Sequence, residues 1–146
     1  MAKTKTTQEY AAQIVTRDTG VEFESRCRPL EGWGSVDKQA VLKEKENCYL
    51  FLETEDGQKH PCTNVVKLWP YLEANSQESV ILVQVFFQDR KNRDSSRGRL
   101  GPVIARKLGD ALNGRVRYCQ LVIDRDTDRI VEGLNELRSL LRWKPD

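Results

Sequence analysis

Three carboxylates, Asp37, Glu53 and Glu55, carry the clearest chemical signal in this sequence. Glu53 and Glu55 end the run CYLFLETE, which begins at Cys48. A continuous apolar run rich in β-forming residues predicts a strand buried on both faces. Side chains alternate along a strand, so both glutamates point the same way. Asp56-Gly57 then turns the chain. Asp37 stands at the start of another predicted strand, residues 35–42, just after Gly32-Trp33-Gly34. If these two strands form a hairpin, the start of one lies beside the end of the other, and Asp37 meets Glu53 and Glu55. Carboxylates gathered at one sheet edge repel unless a cation neutralises them. Hard oxygen donors of this kind suit magnesium or manganese.

A second signal is local charge. The formal net charge of +2 names no partner, yet residues 1–87 are net acidic and residues 88–146 net basic. The excess is concentrated in Arg90, Lys91, Arg93, Arg97, Arg99, Arg106 and Lys107. Such asymmetry marks a polyanion-binding face or a solvated loop. The single histidine, His60, precedes Pro61 and suits a helix entry better than a catalytic base. No Ser or Cys stands in a nucleophile-elbow context, and Gly98-Arg99-Leu100-Gly101 lacks the Lys and Ser/Thr of a phosphate-binding loop. Cys27, Cys48, Cys62 and Cys119 form no paired spacing, so free thiols in a reducing cytoplasm are expected over disulfides or a zinc site. The basic N-terminus is followed by no apolar stretch of a signal peptide, and no run approaches the roughly 20 residues of a membrane span. Trp33 and Trp69 read as core or loop packing.

The elements that must position these groups follow from periodicity. Residues 6–16 predict a helix capped by Thr6 or Thr7, and Asp18-Thr19-Gly20 ends it. Residues 21–27 alternate apolar and charged positions and predict a first strand. Strands over 35–42 and 48–55 follow, joined by the charged turn 43–47. A helix over 63–72 is expected, with Pro70 kinking or ending it. Residues 80–87 predict a fourth, central strand. Residues 88–99 predict a mobile basic loop. Pro102 then starts a helix as its first residue, stopped at Asn113-Gly114. Residues 116–123 predict the fifth strand, and Asp126-Thr127-Asp128 caps a last helix carrying Ile130, Val131, Leu134, Leu137 and Leu141. At 146 residues the chain is expected to form one α/β domain over 1–146 with a mixed five-stranded sheet flanked by helices, in the order α-β-β-β-α-β-α-β-α.

This arrangement resembles the PD-(D/E)xK nuclease superfamily and its restriction-endonuclease-like core, over roughly residues 6–87. Asp37 matches the family Asp, Glu53 the family Glu, and Glu55 the third motif position, where Lys is usual. Glu9 on the first helix matches an accessory Glu of many members. In some members the Lys migrates to the following helix, and Lys67, three residues after Asn64 on one helix face, is the candidate here. Val36, not Pro, precedes Asp37. The resemblance implies a metal-dependent nuclease acting on DNA or RNA, with Mg2+ or Mn2+ held by Asp37, Glu53 and Glu55, and backbone phosphates met by Arg90, Lys91, Arg93, Arg97 and Arg99. A homodimer is one arrangement for cutting both strands, and the last helix, with Leu137, Leu140, Leu141 and Trp143, offers a surface for it or packs on the sheet. The alternative is a nuclease-fold module without catalysis that binds nucleic acid or a protein. A flavodoxin-like domain is weaker, because the opening meander does not fit it.

Overall fold

The computed structural model describes residues 5–26, 28–57, 60–91 and 93–144, without the side chains of Arg28, Ser96 and Arg97. The chain opens with α1 (Thr7–Thr19), and a short hairpin of β1 (Arg28–Pro29) and β2 (Ser35–Val36) follows. Next come β3 (Lys38–Val41), β4 (Cys48–Glu55), α2 (Thr63–Val66), α3 (Leu68–Ala74) and β5 (Ser79–Phe87). The chain continues through α4 (Ser96–Ala111), β6 (Val116–Asp124), β7 (Arg129–Glu132) and α5 (Leu134–Leu141). The main sheet is mixed, in the order β3-β4-β5-β6-β7. β4, β5 and β6 run parallel, and the two edge strands run antiparallel to their neighbours.

Helices cover both faces of this sheet, which is why β4 and β5 read as largely apolar runs. All nine residues of β5 are buried. On one face, Ala11, Ile14 and Val15 of α1 and Leu137 of α5 pack with Leu50, Leu52, Val83, Val85 and Leu121. On the other, Val65, Leu68, Leu72, Ala105 and Leu108 pack with Phe51, Leu82 and Val116. Each large side chain buried this way contributes roughly 1.5–3 kcal/mol. Leu140, Leu141 and Trp143 also pack against the first of these clusters, so the last helix is spent on the sheet.

The five strands differ in membership from those expected. Residues 21–26 form no strand; they run beside β3, held by the Glu24 N–H donating to the Gln39 carbonyl at 2.8 Å and by Lys38 Nζ on the Ser25 carbonyl at 3.2 Å. The fifth strand is β7, in the segment expected to be helical. Asp124 Oδ1 accepts the Asp126 N–H and Asp124 Oδ2 the Thr127 hydroxyl, while Asp128 adopts φ 54°. That turn reverses the chain, so the segment pairs with β6 and the helix waits until Leu134. The single strand expected over 35–42 is split at Asp37 into β2 and β3.

Two prolines act differently from expectation. Pro70 sits in the first turn of α3, and the helix expected over 63–72 breaks before it, at Lys67. Pro102 lies inside α4, whose cap is Ser95, with Oγ accepting the Gly98 N–H at 3.1 Å. The basic loop is correspondingly shorter, and Arg99 belongs to the helix.

The junction of β7 and α5 tolerates only glycine. Gly133 has φ 94°, and a Cβ there would stand 2.1 Å from the Gln120 carbonyl oxygen. Gly133→Ala is expected to lose about 3 kcal/mol or more, because a backbone clash adds to the strain of the left-handed conformation. Urea unfolding of the two proteins checks this.

Candidate active site

The C-terminal ends of β4, β5 and β6 carry a polar layer on the face covered by α2 and α4. In the register of the sheet, Glu53 pairs with Gln84, and Gln84 with Gln120. Tyr118 lies two residues before Gln120 on β6, and Glu55 two residues after Glu53 on β4, so all five side chains share one face. Glu53, Glu55 and Gln84 are buried.

One hydrogen-bond chain runs through them. Lys67 Nζ donates to Glu53 Oε1 at 2.6 Å, to the Ser35 carbonyl at 2.6 Å and to Asn64 Oδ1 at 2.9 Å. Asn64 Nδ2 donates to Glu55 Oε1 at 2.6 Å. Gln84 Nε2 donates to the same oxygen at 2.8 Å and to the Pro61 carbonyl at 2.9 Å. The Tyr118 hydroxyl donates to Gln84 Oε1 and accepts from Gln120 Nε2. Gln120 Nε2 also reaches the Gly98 carbonyl at 3.3 Å. That carbonyl is exposed to the sheet because Pro102, four residues on, has no N–H to offer it.

Local sequence explains how each group is placed. Asp37 stands where the chain leaves the β3–β4 ladder, whose last pair is Lys38 with Leu52. Its Oδ2 accepts the Thr54 N–H at 2.8 Å and the Thr54 hydroxyl at 3.0 Å, replacing the carbonyl a continued strand would supply. Lys67 occupies the break between α2 and α3 ahead of Pro70, and its side chain is 15 % exposed. Gly101 lets α4 lie close to the layer. A Cβ on Gly101 would be 2.7 Å from the Tyr118 hydroxyl and 2.9 Å from Gln84 Oε1.

Burial dominates the electrostatics. It pushes the Glu53 carboxyl up to about 8, helped by the nearby charges of Asp37 and Glu55 and only partly offset by Lys67. Burial likewise raises Glu55, against the hydrogen bonds from Asn64 and Gln84 that favour its charged form. The Tyr118 hydroxyl is pushed up for the same reason.

The structure thus brings together Asp37, Glu53, Glu55, Asn64 and Lys67. It does not gather the first three as a preformed ligand set: among the described residues no group of three Asp, Glu, His or Cys is arranged to hold a metal. Glu9 lies apart from them. It is exposed in the first turn of α1, where Thr6 Oγ1 caps its N–H at 3.1 Å, and it lines a separate cavity of about 360 Å³ with Phe23, Glu24 and Lys38. His60 serves the entry of α2, its carbonyl accepting the Thr63 hydroxyl at 2.7 Å. Cys48, Cys62 and Cys119 are free thiols, and Cys27 lies outside the described residues.

The basic segment is largely engaged with carboxylates. Arg90 Nε meets Asp56 Oδ1 at 3.1 Å, and Arg93 pairs with Asp94 and Glu132. Arg125, which the charge pattern did not single out, joins Asp56 at 2.5 Å to Asp89 at 3.1 Å and lies 3.9 Å over the Phe87 ring. Lys91 and Arg99 are exposed; the Arg97 side chain is outside the described part of the molecule. Trp33 and Trp69, expected in packing, are about half exposed.

Gln84, Tyr118 and Gln120 were missed by sequence reasoning. The available signal was Gln84, the one polar residue between Val80 and Phe87; β6, with Arg117 ahead of Tyr118 and Gln120, offered none. No helix among the described residues is long and apolar enough to cross a membrane. No family model, no curated protein and no solved structure matches the chain.

The raised Glu53 has a consequence for stability. Its folded form holds a proton that the unfolded chain releases near 4.5, so folding stability is full below that pH and falls as pH rises towards 8. Each tenfold difference in proton affinity between the folded and unfolded chain is worth about 1.36 kcal/mol, so the loss is on the order of a few kcal/mol. Glu53→Gln is expected to flatten most of this slope, leaving a remainder from Glu55, in denaturant unfolding between pH 4.5 and 8. Carbon-detected NMR titration should find the Glu53 carboxyl near 8; a midpoint at the ordinary glutamate value would overturn the assignment.

Proposed function

We propose that this chain is a nuclease that hydrolyses phosphodiester bonds in nucleic acid, built on a restriction-endonuclease-like core. The observation that carries the reading is a buried carboxylate, Glu53, with a strongly raised pKa and a lysine at 2.6 Å, at the C-terminal end of a central parallel strand. Strongly perturbed groups held against desolvation cluster at functional sites, and such strand ends are where open α/β sheets bind ligands. The order of elements supports the fold: a leading helix, an antiparallel β3–β4 pair with Asp37 at its break, Glu-x-Glu at the end of β4, and a helical crossover to parallel β5.

The donor set is oxygen only. Asp37 and Glu53 suit a magnesium or manganese ion held by two carboxylates, waters and substrate phosphate, which needs no third protein ligand in advance. When bound, the ion would supply a water of lowered pKa and neutralise charge at the phosphorus. Lys67 orients Glu53 and presents a cation to the phosphate oxygens. Asn64 fixes the Lys67 ammonium and the Glu55 carboxylate at once. Gln84 fixes Glu55 from the opposite side.

A second reading rests on one specific observation. The ammonium of Lys67 already stands against Glu53 at 2.6 Å, a cation within the carboxylate group. In a nuclease-fold module without catalysis, that internal cation stands where a metal would otherwise be needed, and the chain binds nucleic acid or a protein without cutting.

Calorimetry with Mg2+ and Mn2+, beside cleavage of labelled DNA and RNA, separates the two. For a nuclease, metal binding should strengthen from pH 6 to pH 8 as Glu53 loses its proton, and Glu53→Ala or Asp37→Ala should abolish it together with cleavage. Lys67→Ala should cost about 10²-fold in rate or more, the size of effect seen when one charge-stabilising donor is removed. Absence of metal binding and cleavage in the native protein would decide for the binding module.

A further inference from the structure

The outer face of α4 carries an unusual mixture of groups. With about 100° between successive residues, Gly98, Gly101, Ala105, Leu108 and Leu112 fall on one side of the helix, and all of them are buried. Arg99, Leu100, Val103, Arg106 and Lys107 fall within about 120° on the other side, and all of them are exposed. Leu100 and Val103 are among the large apolar side chains most open to solvent. Among the described residues, Arg99, Arg106 and Lys107 enter no ion pair. Arg90, Arg93 and Arg125, in contrast, are bound to carboxylates around the same end of the sheet. Of the described cations in the loop 88–95 and on α4, those outside ion pairs therefore lie on the helix, apart from Lys91. Asp110 adds an acidic group at the far end of the face.

We propose that this face of α4 is the docking surface for the sugar-phosphate backbone of double-stranded nucleic acid. The inference rests on the nucleic-acid part of the function above and assigns its surface and substrate class. Charge complementarity selects a polyanion. Spacing favours a duplex: Arg99 and the Arg106–Lys107 pair are separated by about 10 Å of helix rise, close to the roughly 12 Å width of a major groove. Arg99 and the Arg106–Lys107 pair then reach phosphates on opposite sides of one groove, with Leu100 and Val103 between them over the groove itself. Contacts of this kind give affinity and register without reading sequence. Because α4 starts at the C-terminal ends of the strands, its Arg99 end is the one nearest the carboxylates. Its inner face, through Gly98 and Gly101, rests on the Gln84–Tyr118–Gln120 layer.

Fluorescence anisotropy of a labelled 20-base-pair DNA duplex and of the matching single strand, with the full chain in EDTA at 50–200 mM NaCl, tests this without any cleavage. The variants are R99A/R106A/K107A and, as an equal loss of exposed charge elsewhere, K43A/R142A/K144A. Thermal unfolding verifies that both fold. The native protein should prefer the duplex. The α4 variant should lose tenfold or more in affinity and shed about 2–3 from the slope of log K against log salt, at roughly 0.9 per phosphate contact. The control should keep both. A native protein that binds no duplex, a stronger hold on the single strand, or an α4 variant with an unchanged slope would each overturn the proposal. Equal binding of polyglutamate would also overturn it, marking a docking face for acidic protein surfaces. Cleavage and binding fail separately: duplex binding without cleavage in Mg2+ refutes the catalytic reading alone, and cleavage with an unchanged salt slope refutes this one alone.

Discussion

The contact between Lys67 and Glu53 is the constraint around which the rest of the site is arranged. A buried carboxylate is costly unless it is neutralised by a proton or a cation. Glu53 has both routes open: burial favours the proton, and the ammonium at 2.6 Å favours the charge. Holding that ammonium in place requires the helix after β4 to break at Lys67. It also requires the Ser35 carbonyl to face inward and the Asn64 amide oxygen to point at the lysine. These acceptors come from three separated stretches of chain. The β2 hairpin strand, the α2–α3 junction and the end of β4 are therefore tied at one point; removing Glu53 takes the counter-charge from the Lys67 ammonium, whereas removing Lys67 leaves Glu53 to the proton.

The second consequence is that the polar layer cannot end at Glu55. Its Oε1 takes two amide donors, so the amide of Gln84 must present nitrogen to Glu55 and oxygen to Tyr118. Tyr118 in turn must accept from Gln120, whose nitrogen needs a further acceptor. The Gly98 carbonyl supplies it. Buried polar networks are favourable only when every member is satisfied, which accounts for two poor helix formers, Gly101 and Pro102, in the first half of α4. Gly101 permits the approach and the proline withholds the donor that would compete for the Gly98 carbonyl. Local helix propensity is given up at these positions for the sake of a network that begins on another element.

The parts of this structure legible in the sequence are those where one local rule dominates. The apolar run from Cys48 located β4 to the residue, and its alternation placed Glu53 and Glu55 on one side. The proximity of Asp37 to Glu53 followed from pairing two adjacent strands. What escaped were cases of competing rules. Residues 21–26 alternate like a strand, yet they meet β3 through the Glu24 N–H on the Gln39 carbonyl and through side-chain contacts, without forming a ladder. Residues 129–132 read as helix by spacing, but the Asp124 side chain closes a turn around Asp126 and Thr127 that favours a hairpin. Pro102 read as a helix start because its effect depends on Gln120, a residue far along the chain. The amide layer was invisible to pattern reading, because a lone Gln in an apolar strand acquires its meaning only from the strands on either side.

The same dependence bears on how charge is distributed over the whole molecule. At the carboxylate end of the sheet Asp37 is partly exposed and Glu55 fully buried, and near neutrality a proton on Glu53 removes one charge that would repel a polyanion while Lys67 supplies an attractive one. The surface arginines nearest that end are already paired: Arg90 and Arg125 with Asp56, and Arg93 with Glu132. Exposed pairs of this sort are worth little individually, but together they hold the connections after β4, β5 and β6 against one another and so keep the mouth of the site in shape. Attraction over distance then falls to charges outside that network. The helix that completes the buried layer on its inner side is also the one that carries such charges on its outer side, so its position is set by the site it would serve.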